Sequence, residues 1–151
     1  MKINKWGFIA ILILATMFGY HYLNQKKAEQ REWVDKVVQN NLAEESVKLA
    51  AQSFQDKLPI MVEDGLKLIV VEYDENNKEM VYIYKDSFIS KLTDQQVKDY
   101  EEEWKTRQID IGKKSKNKDA FIDGKISSRY RIFDETNNLK IDILVTPEEI
   151  Q

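Results

Sequence analysis

The chain has 151 residues, of which 42% are hydrophobic and 32% charged, and it contains no cysteine. This composition excludes a collagen-like or disulfide-stapled scaffold, and five glycines and two prolines are too few for a low-complexity linker. The hydrophobic residues are unevenly spread, because 14 of the 18 residues from Trp6 to Leu23 are hydrophobic and none is charged. Residues 24–151 contain 21 of the 23 Lys and Arg residues and all 26 Asp and Glu residues. Their formal net charge is therefore −5. The composition therefore predicts an apolar segment followed by one small, acidic domain.

The apolar segment predicts a single-pass membrane anchor. Eighteen helical residues span about 27 Å, close to the roughly 30 Å of a bilayer core. Lys2 and Lys5 precede the segment, as in the basic region of a secretion signal. Ala15, Thr16 and Gly19 form no clean cleavage site, which favours an uncleaved signal anchor over a cleaved signal peptide or a buried core helix.

A short basic tail usually stays in the cytoplasm, so we expect the C-terminal domain to lie outside it, in the periplasm. Lys26, Lys27, Arg31 and Lys36 follow the segment and leave the count of positive charges equivocal. The expected location is the bacterial inner (cytoplasmic) membrane. The predicted organisation is a cytoplasmic tail over 1–5, a transmembrane helix over 6–23, a helical stalk over 24–41 and an extracytoplasmic α+β domain over 42–151.

The remaining elements follow from hydrophobic periodicity. A helical stripe of Ala43, Val47, Ala50, Phe54 and Leu58 ends at Pro59. Runs rich in β-branched and aromatic residues predict two hairpins, joined by turn-forming Asp and Asn. Their strands are Leu66–Tyr73 with Met80–Lys85, and Ile126–Phe133 with Leu139–Val145.

A second helix begins at Thr93, where Gln96 completes a capping box and Leu92 with Val97 forms a hydrophobic staple. The polar run Gly112–Asp119 is predicted to be a loop. The fold class expected from this order is α+β. It consists of an N-terminal transmembrane helix and then helix-hairpin-helix-hairpin, with a four-stranded antiparallel sheet covered by helices on one face.

The residues that usually carry catalysis are scarce. Without cysteine there is no thiol nucleophile, and the only histidine, His21, lies in the apolar segment, outside the domain. No glycine-rich phosphate loop occurs, and the Asp74 and Asp134 turns lack the glycine and distal glutamate of a calcium loop. We therefore predict no enzyme activity, no cofactor, no metal, no small-molecule ligand and no nucleic-acid partner.

The exposed face of the sheet is the predicted partner-binding surface. Period-two alternation places five polar side chains on this face: Ser127, Arg129, Arg131, Lys140 and Asp142. A charged sheet face suits docking of a protein partner, and simple solvent exposure is the alternative. The lysines at 113, 114, 116 and 118 could meet an anionic lipid or polymer, although a solvated loop is the simpler interpretation.

Two stretches, LPIMVEDGLKLIVVEYDENNKEMVYIYK (58–85) and ISSRYRIFDETNNLKIDILVTPEEI (126–150), resemble a family of small uncharacterised bacterial envelope proteins. Members of that family carry an N-terminal signal or anchor, an "LPxM(V/I)D…YxY" segment and a "YxxxDxxxxxxxxIxVTP" segment. The family often has cysteines near the end of each half, and this chain has none. The resemblance implies an exported helix-hairpin-helix-hairpin domain and implies no activity.

These observations predict a non-enzymatic, membrane-anchored envelope protein whose domain binds a protein partner, as an accessory subunit, inhibitor or immunity protein. Two alternatives stay open at this point. One is an exclusion factor of the inner membrane encoded by a phage or plasmid, and the other is a small hydrolase that uses carboxylates.

Overall fold

In a computed structural model, the backbone is described for residues 5–151 and the side chains for residues 25–151. The chain divides into two units, Met1–Val38 and Gln39–Gln151. The three helices are α1 (Lys5–Gln55), α2 (Asp94–Lys114) and α3 (Lys118–Gly124). The five strands are β1 (Ile60–Glu63), β2 (Leu66–Asp74), β3 (Glu79–Asp86), β4 (Ser127–Phe133) and β5 (Leu139–Val145). Two 3-10 turns complete the described elements, at Ile89–Lys91 and Pro147–Ile150.

The described residues of the first unit, 5–38, belong to α1, and the described side chains among them, 25–38, are exposed. Glu32 and Lys36 form an ion pair of 2.8 Å across one helical turn. The residues predicted to form a helical stalk, 24–41, are helical, but they are part of a longer helix, α1, that continues to Gln55. The domain boundary at residue 42 stays a prediction.

The predicted membrane anchor is wrong. Residues 6–23 belong to α1, but within the part of the chain that the structure describes no helix is both long and apolar enough to cross a membrane. The prediction rests on the length and lack of charge of the segment and on the lysines that precede it, and 18 residues lie at the short end of the range that spans a bilayer. The expected inner-membrane location, the membrane as a partner and the inner-membrane exclusion factor all depended on the anchor, and they are withdrawn with it. Residues 1–4 of the predicted tail and the side chains up to Asn24 lie outside the described residues.

The sheet differs from the predicted one in strand number and direction. Both predicted hairpins form, as β2 with β3 and β4 with β5, but β1 adds a fifth strand on β2. The strand order is β1-β2-β3-β4-β5, and the central pair β3–β4 is parallel. The four-stranded antiparallel sheet is therefore corrected to a five-stranded mixed sheet.

The parallel pair arises from the long connection between the two hairpins. A parallel neighbour requires the chain to return to the same end of the sheet, which takes a crossover of a dozen or more residues. The connection after Asp86 contains α2 and α3 and provides that length. Strand β4 then starts beside β3, where the backbone N–H of Ser127 donates to the carbonyl of Lys78 at 3.0 Å.

Helix α2 begins as the sequence predicts. The Gln96 N–H donates to Thr93 Oγ1 at 3.3 Å, and the Thr93 N–H donates to Gln96 Oε1 at 2.9 Å. The far end differs from the prediction, because α2 continues to Lys114 and α3 begins at Lys118, so that little of the predicted loop Gly112–Asp119 is left. A polar, lysine-rich sequence does not by itself indicate a loop, because lysine is a good helix former.

The core lies between one face of the sheet and the helices. Trp104 of α2 is only 2% exposed and packs edge-on against Tyr84 at 5.0 Å and against Tyr130 at 5.8 Å between ring centroids. Val47 and Ala51 of α1 belong to the same buried cluster as these rings. Trp104 thus links α2 to both strands of the parallel pair.

We predict that Trp104→Ala lowers the free energy of unfolding by about 3–5 kcal/mol, because it leaves a cavity among packed rings. Trp104→Phe should cost less, since an aromatic ring still fills part of that space. Urea denaturation measures both values. Trp33→Ala is the matched control, because Trp33 is 67% exposed and its loss should change the free energy by about 0.5 kcal/mol or less. Equal losses at both tryptophans would contradict the assignment of Trp104 to the core.

The turn between β4 and β5 is organised by the Asp134 carboxylate. It accepts hydrogen bonds from the N–H and hydroxyl of Thr136 at 2.9 and 2.7 Å, and from the N–H of Asn138 at 2.9 Å. These donors, with Thr136 first, hold the pKa of Asp134 well below its usual value. The second hairpin therefore depends on an ionised carboxylate.

We predict that Asp134→Asn destabilises the protein most at neutral pH. A carboxyl whose folded-state pKa is depressed adds stability above its unfolded pKa of about 3.8, and this stability is lost as the pH falls below that value. The difference in melting temperature between the wild type and Asp134→Asn should thus be constant above about pH 5 and should shrink steadily as the pH falls below about 4, because the loss is complete only below the depressed folded-state pKa. Glu135→Gln, at an exposed position of the same turn, is the control. A difference in melting temperature between the wild type and Asp134→Asn that does not change with pH would contradict the role of the charge.

Candidate functional site

The side of the sheet opposite the core, called the open face here, carries the predicted partner-binding residues. The parallel register of β3 and β4 places Val81 beside Arg129 and Ile83 beside Arg131. On the other side of β4, Arg131 is opposite Asp142 of β5. The structure therefore brings Arg129, Arg131 and Asp142 together, as predicted.

A carboxylate that the sequence did not indicate completes this group. Arg129 donates to both carboxylate oxygens of Glu79, from Nε at 2.6 Å and from Nη2 at 3.1 Å, and its Nη1 donates to Asp142 Oδ1 at 3.0 Å. The two hydrogen bonds from Arg129 to Glu79, followed by the one to Asp142, raise the pKa of Arg129 above its usual value. Glu79 was missed because only the parallel pairing places β3 beside β4.

The other predicted residues are placed differently. Arg131 Nε lies 3.6 Å from Asp142 Oδ2, a looser ion pair than that of Arg129. Lys140 Nζ lies 3.6 Å from Asp134 Oδ2 at the hairpin turn. Ser127 of β4 is opposite Glu79 of β3 in the register of the parallel pair. Since Arg129 is engaged by Glu79 and Asp142, its first role is to join three strands. Docking of a partner on the open face stays a prediction.

A second candidate site lies on the core side of the sheet. A partly open cavity of about 100 Å³ is bounded by α2, α3, the C-terminal 3-10 turn and strands β3, β4 and β5. We call it the α2–α3 cavity. Its walls include Tyr82, Gln108, Ile111, Lys118, Ser128 and Tyr130. No sequence pattern indicates this cavity, because its lining comes from segments far apart in the chain.

The inner wall of the α2–α3 cavity is aromatic. The rings of Tyr82 and Tyr130 stack with centroids 5.0 Å apart and planes inclined by 7°. Burial raises the pKa of both phenols, so they remain protonated and uncharged at neutral pH. The stacked pair therefore offers an apolar surface to an occupant.

Two further residues of the lining differ in chemistry and exposure: a polar one inside the cavity and an apolar one at its opening. Gln108 is only 9% exposed, and its carboxamide has no hydrogen-bond partner among the side chains and backbone that the structure describes. Ile111 also lines the cavity but is 54% exposed. The cavity thus combines an unused amide inside with an apolar side chain at its mouth.

The basic run Lys113, Lys114, Lys116 and Lys118 borders the cavity, since the lining residues Ser115 and Lys118 belong to the same stretch. None of these four lysines forms an ion pair within the described residues. Over residues 25–151, no group of three or more His, Asp or Glu side chains is arranged to hold a metal ion.

No protein-family model matches the chain, and no curated protein matches it. Among solved structures, it is similar to the pilotin EpsS of the Vibrio vulnificus type 2 secretion system, with a TM-score of 0.57 and 16% identity. It is also similar to a Pseudomonas aeruginosa protein, with a TM-score of 0.60 and 8% identity. Each match covers 75% of this chain and 96% of the other. The likeness shows a shared fold. The Vibrio cholerae type II pilotin AspS matches at a TM-score of 0.46 and 15% identity.

We predict that Arg129→Ala lowers the free energy of unfolding by about 1–3 kcal/mol, because it removes three charge-assisted hydrogen bonds and leaves Glu79 without its partner. Arg129→Lys should restore only part of this loss, since an ammonium group cannot bind the Glu79 carboxylate with two parallel N–H bonds. Urea denaturation measures both. Arg131→Ala is the control and should cost less, because its ion pair is longer. A smaller effect at Arg129 than at Arg131 would contradict the structural role.

Proposed function

We propose that residues 39–151 form a non-enzymatic protein-binding domain that holds a segment of a partner polypeptide in the α2–α3 cavity. The observation that carries this proposal is the cavity itself, which is apolar on its inner wall and open at one side. It replaces the membrane-anchored envelope protein predicted from the sequence.

The size of the cavity favours a side chain over a small molecule. Pockets for cofactors and drug-sized ligands measure about 300–1,000 Å³, whereas this cavity measures about 100 Å³. A space of that size accepts a single apolar side chain, which is how a polypeptide anchors itself in a pocket.

The chemistry of the lining favours binding over catalysis. Ser115 and Ser128 are the hydroxyl nucleophiles in the walls, and the tyrosines are kept protonated by burial. A serine nucleophile needs a neighbouring base. The only histidine of the chain, His21, lies outside this domain, and among the described residues no hydrogen bond joins the hydroxyl of Ser115 or Ser128 to the side-chain amine of Lys118 in the same lining. The small carboxylate hydrolase has no support here, since neither Asp nor Glu lines the cavity.

The comparison with known structures agrees with this proposal. EpsS is named as a pilotin of a type 2 secretion system, and its fold is shared over 96% of its length. We propose that this chain is likewise an accessory protein of a larger assembly. The fold likeness supports this role, and the cavity supplies the binding site.

Two adjacent serines provide a sharp test of the site. Ser128 lines the α2–α3 cavity, whereas Ser127 precedes it in β4 and therefore points to the open face. Ser128→Leu should fill part of the cavity and abolish partner binding. Ser127→Leu makes the same chemical change on the opposite face and should leave binding intact. Circular dichroism and thermal unfolding establish that both variants fold.

Photo-crosslinking in the native cells reads out this comparison. In one variant, benzoylphenylalanine replaces Ile111 at the mouth of the cavity. In a second variant, it replaces Arg131 on the open face. We expect a defined crosslinked polypeptide from position 111 that disappears with Ser128→Leu and persists with Ser127→Leu. Crosslinks confined to position 131 and lost with Ser127→Leu would move the site to the open face. Absence of any crosslinked partner at both positions would overturn the proposed function.

A further inference from the structure

We infer that the α2–α3 cavity recognises an acidic polypeptide segment that inserts one apolar side chain between Tyr82 and Ile111. This inference rests on the proposed function and adds the chemistry of the partner. Three features carry it: the volume of the cavity, the unused amide of Gln108 and the unpaired lysines at its border.

The first feature sets the inserted group. The occupant must cover the stacked rings of Tyr82 and Tyr130 and contact Ile111, and all three present apolar surface. A leucine, isoleucine, methionine or phenylalanine side chain provides a matching apolar surface of suitable size. A charged side chain would lose its hydration there without an oppositely charged partner on the inner wall.

The second feature identifies the occupant as a peptide. The carboxamide of Gln108 has one acceptor and two donor hydrogens, and it lines the cavity without a protein partner in the described structure. An occupant that enters the cavity displaces water from this amide, so it must replace the hydrogen bonds that the amide makes to water. The peptide group adjoining the inserted side chain offers both a donor and an acceptor, so it can satisfy Gln108.

The third feature sets the charge of the segment. Residues 110–119 contain four lysines and two aspartates, a local charge of +2 in a region after residue 23 whose net charge is −5. Other lysines of the domain, such as Lys67 and Lys85, also lack an ion pair among the described residues, but only here do four lysines fall within six residues, 113–118, beside a cavity. Lysines that lack such pairs beside a binding cavity attract acidic residues on both sides of the inserted side chain.

The test uses the purified full chain and a displayed library of random 12-residue peptides. We expect the enriched peptides to share one Leu, Ile, Met or Phe flanked by Asp or Glu. Replacing that apolar residue by Ala in the best peptide should weaken binding about tenfold. Replacing its acidic residues by Lys should abolish binding. Fluorescence anisotropy of labelled peptides gives the dissociation constants.

Variants of the protein separate the three features. The double substitution Lys113→Glu and Lys116→Glu should weaken binding of the peptide at least about fivefold and make this binding less dependent on salt. Lys67→Glu with Lys85→Glu makes the same change of charge on the paired strands β2 and β3 and should have little effect. Gln108→Leu keeps the approximate size of the side chain and removes the amide, and it should weaken binding without changing the charge preference.

Several results would overturn the inference. These are a library without enrichment, enriched peptides that lack an apolar residue, and equal effects of the two lysine pairs. Binding of the protein to vesicles of anionic lipid, lost with Lys113→Glu and Lys116→Glu while no peptide binds, would assign the lysines to a lipid surface instead. If crosslinking at position 111 still captures a partner that Ser128→Leu releases, the proposed function stands and only the partner chemistry fails.

Discussion

The packing of Trp104 against Tyr84 and Tyr130 joins the two hairpins of the domain to each other and to α2. These two tyrosines lie on β3 and β4, the only parallel neighbours among the described strands, and Trp104 lies on the crossover helix between them. A parallel pair separated by so long a connection pays a large loop-closure entropy before its own hydrogen bonds form. The indole ring contributes buried surface to both strands and to α2, so it offsets this cost for all three elements.

The same aromatic cluster connects stability with binding. Tyr130 contacts Trp104 on one side and stacks on Tyr82 on the other, where both tyrosines form the wall of the α2–α3 cavity. The floor of the proposed binding site is therefore part of the core and is rigid before any partner arrives. A preformed pocket loses less conformational entropy on binding than one that must order its walls. Substitutions at Tyr130 would change folding and binding together, so Ser128 and Gln108 are better positions for separating the two.

Local patterns in the sequence predicted local structure well. The Thr93–Gln96 capping box and the strands of both hairpins depend on neighbouring residues, and they form as predicted. The parallel pairing, strand β1 and the partner of Arg129 depend on residues far apart in the chain, which periodicity does not encode. Arg129 illustrates the limit, because alternation placed it on the correct face but could not show that Glu79 lies beside it. The membrane anchor was predicted from the length of the uncharged stretch and the lysines before it, but no helix within the described residues is both long and apolar enough to cross a membrane.

The two outer strands restrict how this sheet can interact with other chains. Strand β1 has four residues and an irregular register between Met61 and Glu63, and the register of β5 on β4 shifts between Ile132 and Phe133. Short or irregular edge strands present no long, even row of backbone donors and acceptors. Extension of the sheet by a strand from another molecule is therefore disfavoured, which protects the protein from edge-to-edge aggregation. A partner is left to bind through side chains, and selectivity for the right polypeptide then depends on which residue fits the pocket.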